Sequence, residues 1–181
     1  MNESIHHIYL TGYRGSGKTS VGKLLGEKLA RPVVDLDDRI EETASRSIRE
    51  IFELEGEAGF RDRETAALRV VSNEMPSVVS LGGGAILREV NRHLIAATGF
   101  CIWLKVDADT VLERLHRDAT TAQRRPALTA LPPRVEIESL LAAREPIYAL
   151  VSNVAIDVTG KQMLEITDEA IMSLPSKFDD G

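Results

Sequence analysis

The chain has 181 residues, a length suited to one domain, and 43% of them are hydrophobic, enough to build a substantial core. A net charge of −6 and a pI of about 5.3 argue against nucleic acid or an anionic membrane as the main partner. A single cysteine, Cys101, excludes an intrachain disulfide framework. With no apolar run long enough for a bilayer and no signal-peptide pattern at the N-terminus, a cytoplasmic location is expected.

Residues 7–11 (HIYLT) read as a short buried strand and residues 19–30 as a helix. Between them lies GYRGSGKT, residues 12–19, which fits G-x-x-x-x-G-K-S/T. Strand, glycine-rich turn and helix are the context in which that motif cradles nucleotide phosphates. The glycines let successive N–H groups point into one concavity, and the helix aims its positive end at the same place. Lys18 adds a full charge for the β- and γ-phosphates, and Thr19 offers a hydroxyl to Mg²⁺. A turn of purely structural purpose would need the glycines but not Gly-Lys-Thr.

Residues 33–37 (VVDLD) read as a second strand with two acidic residues at its C-terminal end, where ligands bind in an open α/β sheet. Asp35 and Asp37 are two apart, so in extended chain they point the same way. Helix capping alone would need one Asp, whereas Asp35, Asp37 and Asp38 stand together. Residues from about 38 to 73 are helical by pattern and are punctuated by Gly56 and Gly59.

Residues 77–81 (SVVSL) form a third strand that ends in Gly82, Gly83 and Gly84, a backbone suited to close approach by a ligand. A helix over 89–97 precedes a fourth, nearly all-apolar strand over 100–106. Cys101 lies within that strand and reads as a core residue. Asp107 or Asp109 can cap the next helix. The polar, basic stretch that follows, about 117–128, contains Arg117, Arg124 and Arg125 and reads as a lid over the active site. Guanidinium groups there suit a transferring phosphoryl group. A helix over 133–150, loosened at Pro146, a fifth strand over 151–158 and a last helix over 160–174 complete the chain. Five strands alternating with helices predict an α/β fold of three layers, a parallel sheet covered by helices on both faces. The helical span after the second strand and the lid are expected as insertions into one domain spanning 1–181.

The assembled segments resemble the shikimate kinase family. GYRGSGKTSVGKLLGEKLA, DLDDRIE, SIREIFELEGEAGFRDRE, SLGGGAI, RRPAL and AAREPIYAL follow one another in that family's order, from residue 7 to about residue 160. The phosphate loop alone says only nucleotide; the ordered set is specific among small kinases. The resemblance implies a P-loop fold with strand order 2-3-1-4-5, and transfer of the ATP γ-phosphoryl group to the 3-hydroxyl of shikimate. It implies that Asp37 holds, and to some degree deprotonates, the acceptor hydroxyl. Arg61 and Arg144 would grip the shikimate carboxylate, with Gly82, Gly83 and Gly84 giving backbone contact. Gly15, Ser16, Gly17, Lys18, Thr19 and Ser20 would hold the ATP phosphates, and Arg125 would reach them from the lid. Arg117 and Thr159 are expected near the nucleotide base, and Thr19 and Asp35 would hold Mg²⁺. Ser45 stands where the family often has a helix-breaking glycine, so the helix is expected to run on there. A monomer binding shikimate and ATP, with neither nucleic acid nor membrane as partner, is expected.

Two rivals make different demands. A gluconate-type kinase shares the phosphate loop but has no need of GEAGFR or R-x-P-x-Y. A nucleotide-dependent switch or a non-catalytic nucleotide-binding protein would leave the charged site residues without a purpose. Asp157 to Gly160 fits D-x-x-G, yet it lies at the last strand's end and no Asn-Lys-x-Asp guanine reader accompanies it.

Overall fold

Tyr9 and its two neighbours in β1 (His7–Thr11) explain the layering of this molecule. Alternate residues of a strand face opposite sides of a sheet. Ile8 and Leu10 therefore enter one apolar cluster and Tyr9 enters the other, and all three are fully buried. A strand buried on both faces belongs in the centre of a parallel sheet, and β1 occupies that centre. The computed structural model describes residues 7–117 and 132–176. Its sheet has the order β2-β3-β1-β4-β5, with β2 (Val33–Asp35), β3 (Val78–Ser80), β4 (Gly99–Lys105) and β5 (Val154–Asp157), every pair parallel. Tyr9 is in register with Val79 on one side and Cys101 on the other. This is the order that the resemblance implies.

Seven α-helices flank the sheet among the described residues. They are α1 (Lys18–Lys28), α2 (Leu36–Ala44), α3 (Ile48–Val71), α4 (Glu89–Thr98), α5 (Ala108–Arg117), α6 (Pro133–Val151) and α7 (Met163–Ser173). One core holds Tyr9, Val79 and Trp103 against Leu36, Phe60, Leu68 and Ile95 from α2, α3 and α4. The other holds Ile8, Leu10 and Ile102 against Val21 and Leu25 of α1 and Ile166 of α7. Cys101 is a core residue, and burial pushes its thiol up to about 12, which leaves it inert. No helix among the described residues is long and apolar enough to cross a membrane.

Four boundaries differ from the sequence expectation. β2 stops at Asp35, and Asp37 lies in the first turn of α2 rather than in the strand. The cause is local: Asp35 is the N-cap, and its Oδ1 accepts from the Asp37 N–H at 3.0 Å. The helix does not run on at Ser45, which adopts the left-handed conformation (φ 50, ψ 36) and ends α2. Ser47 then starts α3 with a capping box to Glu50. α6 continues through Pro146 to Val151, so β5 begins only at Val154. The final helix starts at Met163, where Gln162 and Glu165 form a second capping box, rather than at residue 160. Within α3, Gly56 has non-helical angles (φ 69, ψ −173) and kinks the helix.

Candidate functional site

The phosphate loop connects the buried end of β1 to α1. Gly17 caps α1 from the left-handed region (φ 98), a conformation that side chains rarely adopt. A Cβ there would also press on Met163 at 3.2 Å. The loop's lysine is held by the loop itself: Lys18 Nζ donates to the Gly12 carbonyl at 2.8 Å and to the Tyr13 carbonyl at 2.9 Å. Ser80 of β3 braces the other side, its hydroxyl donating to the Lys18 carbonyl at 3.2 Å.

Beside the loop, Thr19 and Asp35 meet. Thr19 Oγ1 donates to Asp35 Oδ2 at 3.0 Å, while the other oxygen of that carboxylate caps α2. One side chain thus caps α2, bonds Thr19 and lines the cleft. Burial holds the Asp35 carboxyl above the usual carboxylate range, and the neighbouring charges of Asp37 and Asp38 push the same way. Thr19 and the Asp37 N–H oppose that shift by bonding the charged form. Among the described residues, no group of three or more His, Cys, Asp or Glu side chains could hold a metal by itself. A hydroxyl beside a carboxylate fits an ion such as Mg²⁺, which takes its remaining ligands from phosphates and water.

The glycine run after β3 forms the opposite wall. A Cβ built on Gly83 would lie 3.3 Å from the Gly12 carbonyl oxygen and 3.6 Å from the Arg14 nitrogen. The two loops therefore touch through bare backbone. The Gly83 carbonyl accepts from Tyr148 Oη at 2.6 Å and from Arg144 Nη1 at 3.3 Å, both residues of α6. Arg61 of α3 packs against Gly84 and donates to Glu64 Oε2 at 2.8 Å. Arg61 and Arg144 are buried, at 7% and 8% exposure. Buried guanidiniums keep their charge only among compensating oxygens; the Glu64 carboxylate supplies them for Arg61 and the Gly83 carbonyl for Arg144.

One cleft of about 380 Å³ unites the loop and the opposite wall. Of the predicted residues, Gly15, Gly17, Lys18, Thr19, Ser20, Asp35, Asp37, Gly82, Gly83 and Arg117 line it. Ser16 is fully buried beneath the loop, while Arg61, Gly84 and Arg144 stand behind the glycine wall. Arg117 is exposed and pairs with Glu113 at 2.6 Å. Thr159 is exposed, its N–H donating to Asp157 at 2.9 Å, and it does not line the cleft. Arg125 and all of the predicted lid except Arg117 lie outside the described residues. The structure adds Arg14 and Arg114, which line the cleft as well. Arg114 donates to the Gly15 carbonyl at 3.0 Å. Arg14 carries a signal in the sequence, a long cation inside the phosphate loop; Arg114 is one of several charges on α5 and carries none.

A family model described as shikimate kinase matches residues 14–175. The shikimate kinase of Rhodopirellula baltica is 51% identical over 172 residues, covering 95% of this chain and 92% of its own. The solved structure of shikimate kinase from Acinetobacter baumannii in complex with shikimate superposes with a TM-score of 0.86 at 34% identity, covering 94% of this chain and 93% of that one. A gluconokinase from Sinorhizobium meliloti reaches a TM-score of 0.63 at 21% identity, covering 92% of this chain and 90% of that one, a likeness of fold alone.

Proposed function

Because this chain belongs to the shikimate kinase family and its reaction is the ATP-dependent phosphorylation of shikimate, we propose that the cleft and the residues behind its glycine wall divide into two halves. The loop from Gly15 to Ser20 is the donor half, and Asp37, Arg61, Gly82 to Gly84 and Arg144 are the acceptor half. The observation that carries this division is the Gly83 wall. It faces the phosphate loop across bare backbone and is tied from behind to a buried arginine. The gluconate-type reading has no use for two buried arginines behind that wall, whereas a carboxylate matches the planar guanidinium fork.

In the proposed mechanism Arg61 and Arg144 fix the shikimate carboxylate from two segments. Asp37 accepts a hydrogen bond from the 3-hydroxyl and orients its oxygen toward the γ-phosphorus of ATP. A P–O bond forms from that oxygen as the bond to the β-bridging oxygen breaks, leaving the electron pair on ADP. The hydroxyl proton passes to Asp37 and on to solvent, so shikimate and ATP give shikimate 3-phosphate, ADP and one proton. Lys18 offsets charge on the β- and γ-phosphates, and Arg125 reaches them from the 117–128 segment as the lid arginine. Arg117, which lines the cleft, and Thr159, which lies outside it, would contact the nucleotide base. Thr19 and Asp35 would hold Mg²⁺, Asp35 through water, and the ion would supply positive charge to offset that of the phosphates. The protein works as a cytoplasmic monomer of one domain, with residues of about 38–73 serving the acceptor.

The test is a coupled ADP-release assay across shikimate, gluconate and nucleoside monophosphates. Turnover with shikimate alone is expected. Turnover with gluconate or a nucleotide as the better acceptor would overturn the acceptor assignment, and no turnover with any would favour a non-catalytic nucleotide-binding protein. Arg61→Ala and Arg144→Ala should raise the shikimate KM far more than the ATP KM.

A further inference from the structure

Arg14 occupies the third position of the phosphate loop and has a partner from far along the chain. Its Nη2 donates to Glu136 Oε1 at 3.1 Å, from the first turns of α6. Glu136 is 3% exposed and the Arg14 side chain 20%, so the carboxylate is removed from water and the guanidinium partly so. A buried ion pair is a poor way to stabilise a fold, because desolvation consumes much of the Coulombic gain. It is a good way to fix a guanidinium in one orientation. The location suggests what that orientation serves. The Arg14 nitrogen would lie 3.6 Å from a Cβ on Gly83, so this residue stands where the donor loop meets the acceptor wall. Its side chain lines the cleft that also holds Lys18 and Asp37. Glu136 takes one guanidinium nitrogen, and Nε donates to no group among the described residues. α6 also carries Arg144, eight residues on, about 12 Å along the helix axis. Glu136 therefore references the phosphate loop to the helix that braces the acceptor wall.

We propose that Arg14 is a catalytic arginine supplied in cis, contacting the phosphoryl group in transit, and that Glu136 is its positioning residue. The proposal rests on the reading of this cleft as a phosphoryl-transfer site. As the γ-phosphoryl leaves ADP, charge spreads over its equatorial oxygens, and a planar fork of donors fixed beforehand stabilises that arrangement more than the ground state. No new bond or proton transfer is required beyond those of the established reaction.

The test uses the full chain and three variants, Arg14→Met, Glu136→Gln and the double change, with steady-state kinetics and thermal unfolding measured on each. Wild-type turnover of shikimate checks the underlying reading separately. Arg14→Met should lower kcat on the order of 10²-fold, the loss typical of one preorganised donor, with both KM values little changed. It should also lower the melting temperature, because Glu136 is left buried beside an apolar chain. The double variant should recover the melting temperature but not kcat. Glu136→Gln should lower kcat less than Arg14→Met does. Binding of ADP with aluminium fluoride and shikimate, a mimic of the planar phosphoryl group, should weaken in both single variants while binding of ADP alone does not. Recovery of kcat together with stability in the double variant would make the pair structural and overturn the proposal. So would a raised shikimate KM at unchanged kcat for Arg14→Met, which would assign Arg14 to the ground-state acceptor.

Discussion

Gly84→Ala is a sharp probe of the acceptor side because it changes one methyl group and no charge. Gly84 has φ −108 and ψ 0, angles open to alanine, so the substitution meets no backbone penalty. The obstacle is space. The new Cβ would lie 2.4 Å from Arg61 Nη2 and 2.6 Å from both Cζ and Nη1. Ordinary contact begins about 1 Å farther out, so the guanidinium has to retreat by roughly that distance. It cannot do so freely. It bonds Glu64, which is fully buried, at 2.8 Å and lies 5.2 Å from the Phe60 ring centroid. A displacement of about 1 Å in a positioning group costs on the order of 10² in rate. If Arg61 grips the shikimate carboxylate as proposed, the shikimate kcat/KM should fall by that order, chiefly through KM, since that contact precedes chemistry. Overpacking should cost about 1–3 kcal/mol of stability. The assay is ADP release with shikimate varied at saturating ATP, then the reverse. An unchanged shikimate KM would refute the reasoning, as would an equal rise in the ATP KM. A second check is non-additivity: in an Arg61→Ala background, Gly84→Ala should add little further loss, because the group it displaces is gone.

Three further outcomes are expected. Asp35→Asn keeps the α2 cap, since Asn caps as well as Asp, and removes a carboxylate whose folded pKa lies above its ordinary value. A raised carboxyl pKa means the native state binds more protons, so the wild type loses stability as pH rises through 3.8 toward that raised value and carries the full penalty above it. The variant should therefore melt higher at neutral pH, with the gain fading toward pH 4, and should need more Mg²⁺ for activity. His7 runs the other way. Burial pulls its pKa below the ordinary 6.5, so the unfolded chain takes up the proton first and stability falls as pH drops below that value. Urea midpoints across a pH series should decline there, and His7→Phe should flatten the decline. Trp103, the single tryptophan, stacks on Tyr148 at 5.7 Å between centroids, and Tyr148 bonds the Gly83 carbonyl. Shikimate should change the tryptophan emission, and Tyr148→Phe should diminish that response at saturating ligand.

The features legible in the sequence are those written into short stretches. The phosphate loop is one, because strand, glycines, lysine and helix are consecutive. The alternation of five strands with helices is another, because burial imposes its period on the residues directly. Asp35, Asp37 and the glycine run were legible as ligand-edge residues because strand ends mark that edge. The family's ordered motifs extended this to Arg61 and Arg144, which no local pattern separates from the chain's surface arginines. Boundaries were less legible. Ser45 turns the chain in a conformation that its own propensity does not favour, since Ile40, Ile48 and Ile51 on either side of it share one core. Asp37 left its expected strand because an Asp35 cap bond started the helix two residues early.

Only the tertiary structure decided how the pieces of the site hold one another. Arg14 and Glu136 are 122 residues apart, and Gly83 and Tyr148 are 65 apart. Such pairs leave no periodicity, spacing or composition in the chain, because the partner of a buried charge is chosen by where the sheet order brings its helix. Composition, pattern and the loop motif determined by themselves that this chain folds around a parallel sheet and cradles phosphates. Which side chains turn that cradle toward an acceptor was set by packing. β3 lies beside β1, so its glycines meet the loop, and α6 lies behind them, so its arginine and tyrosine reach the same carbonyl.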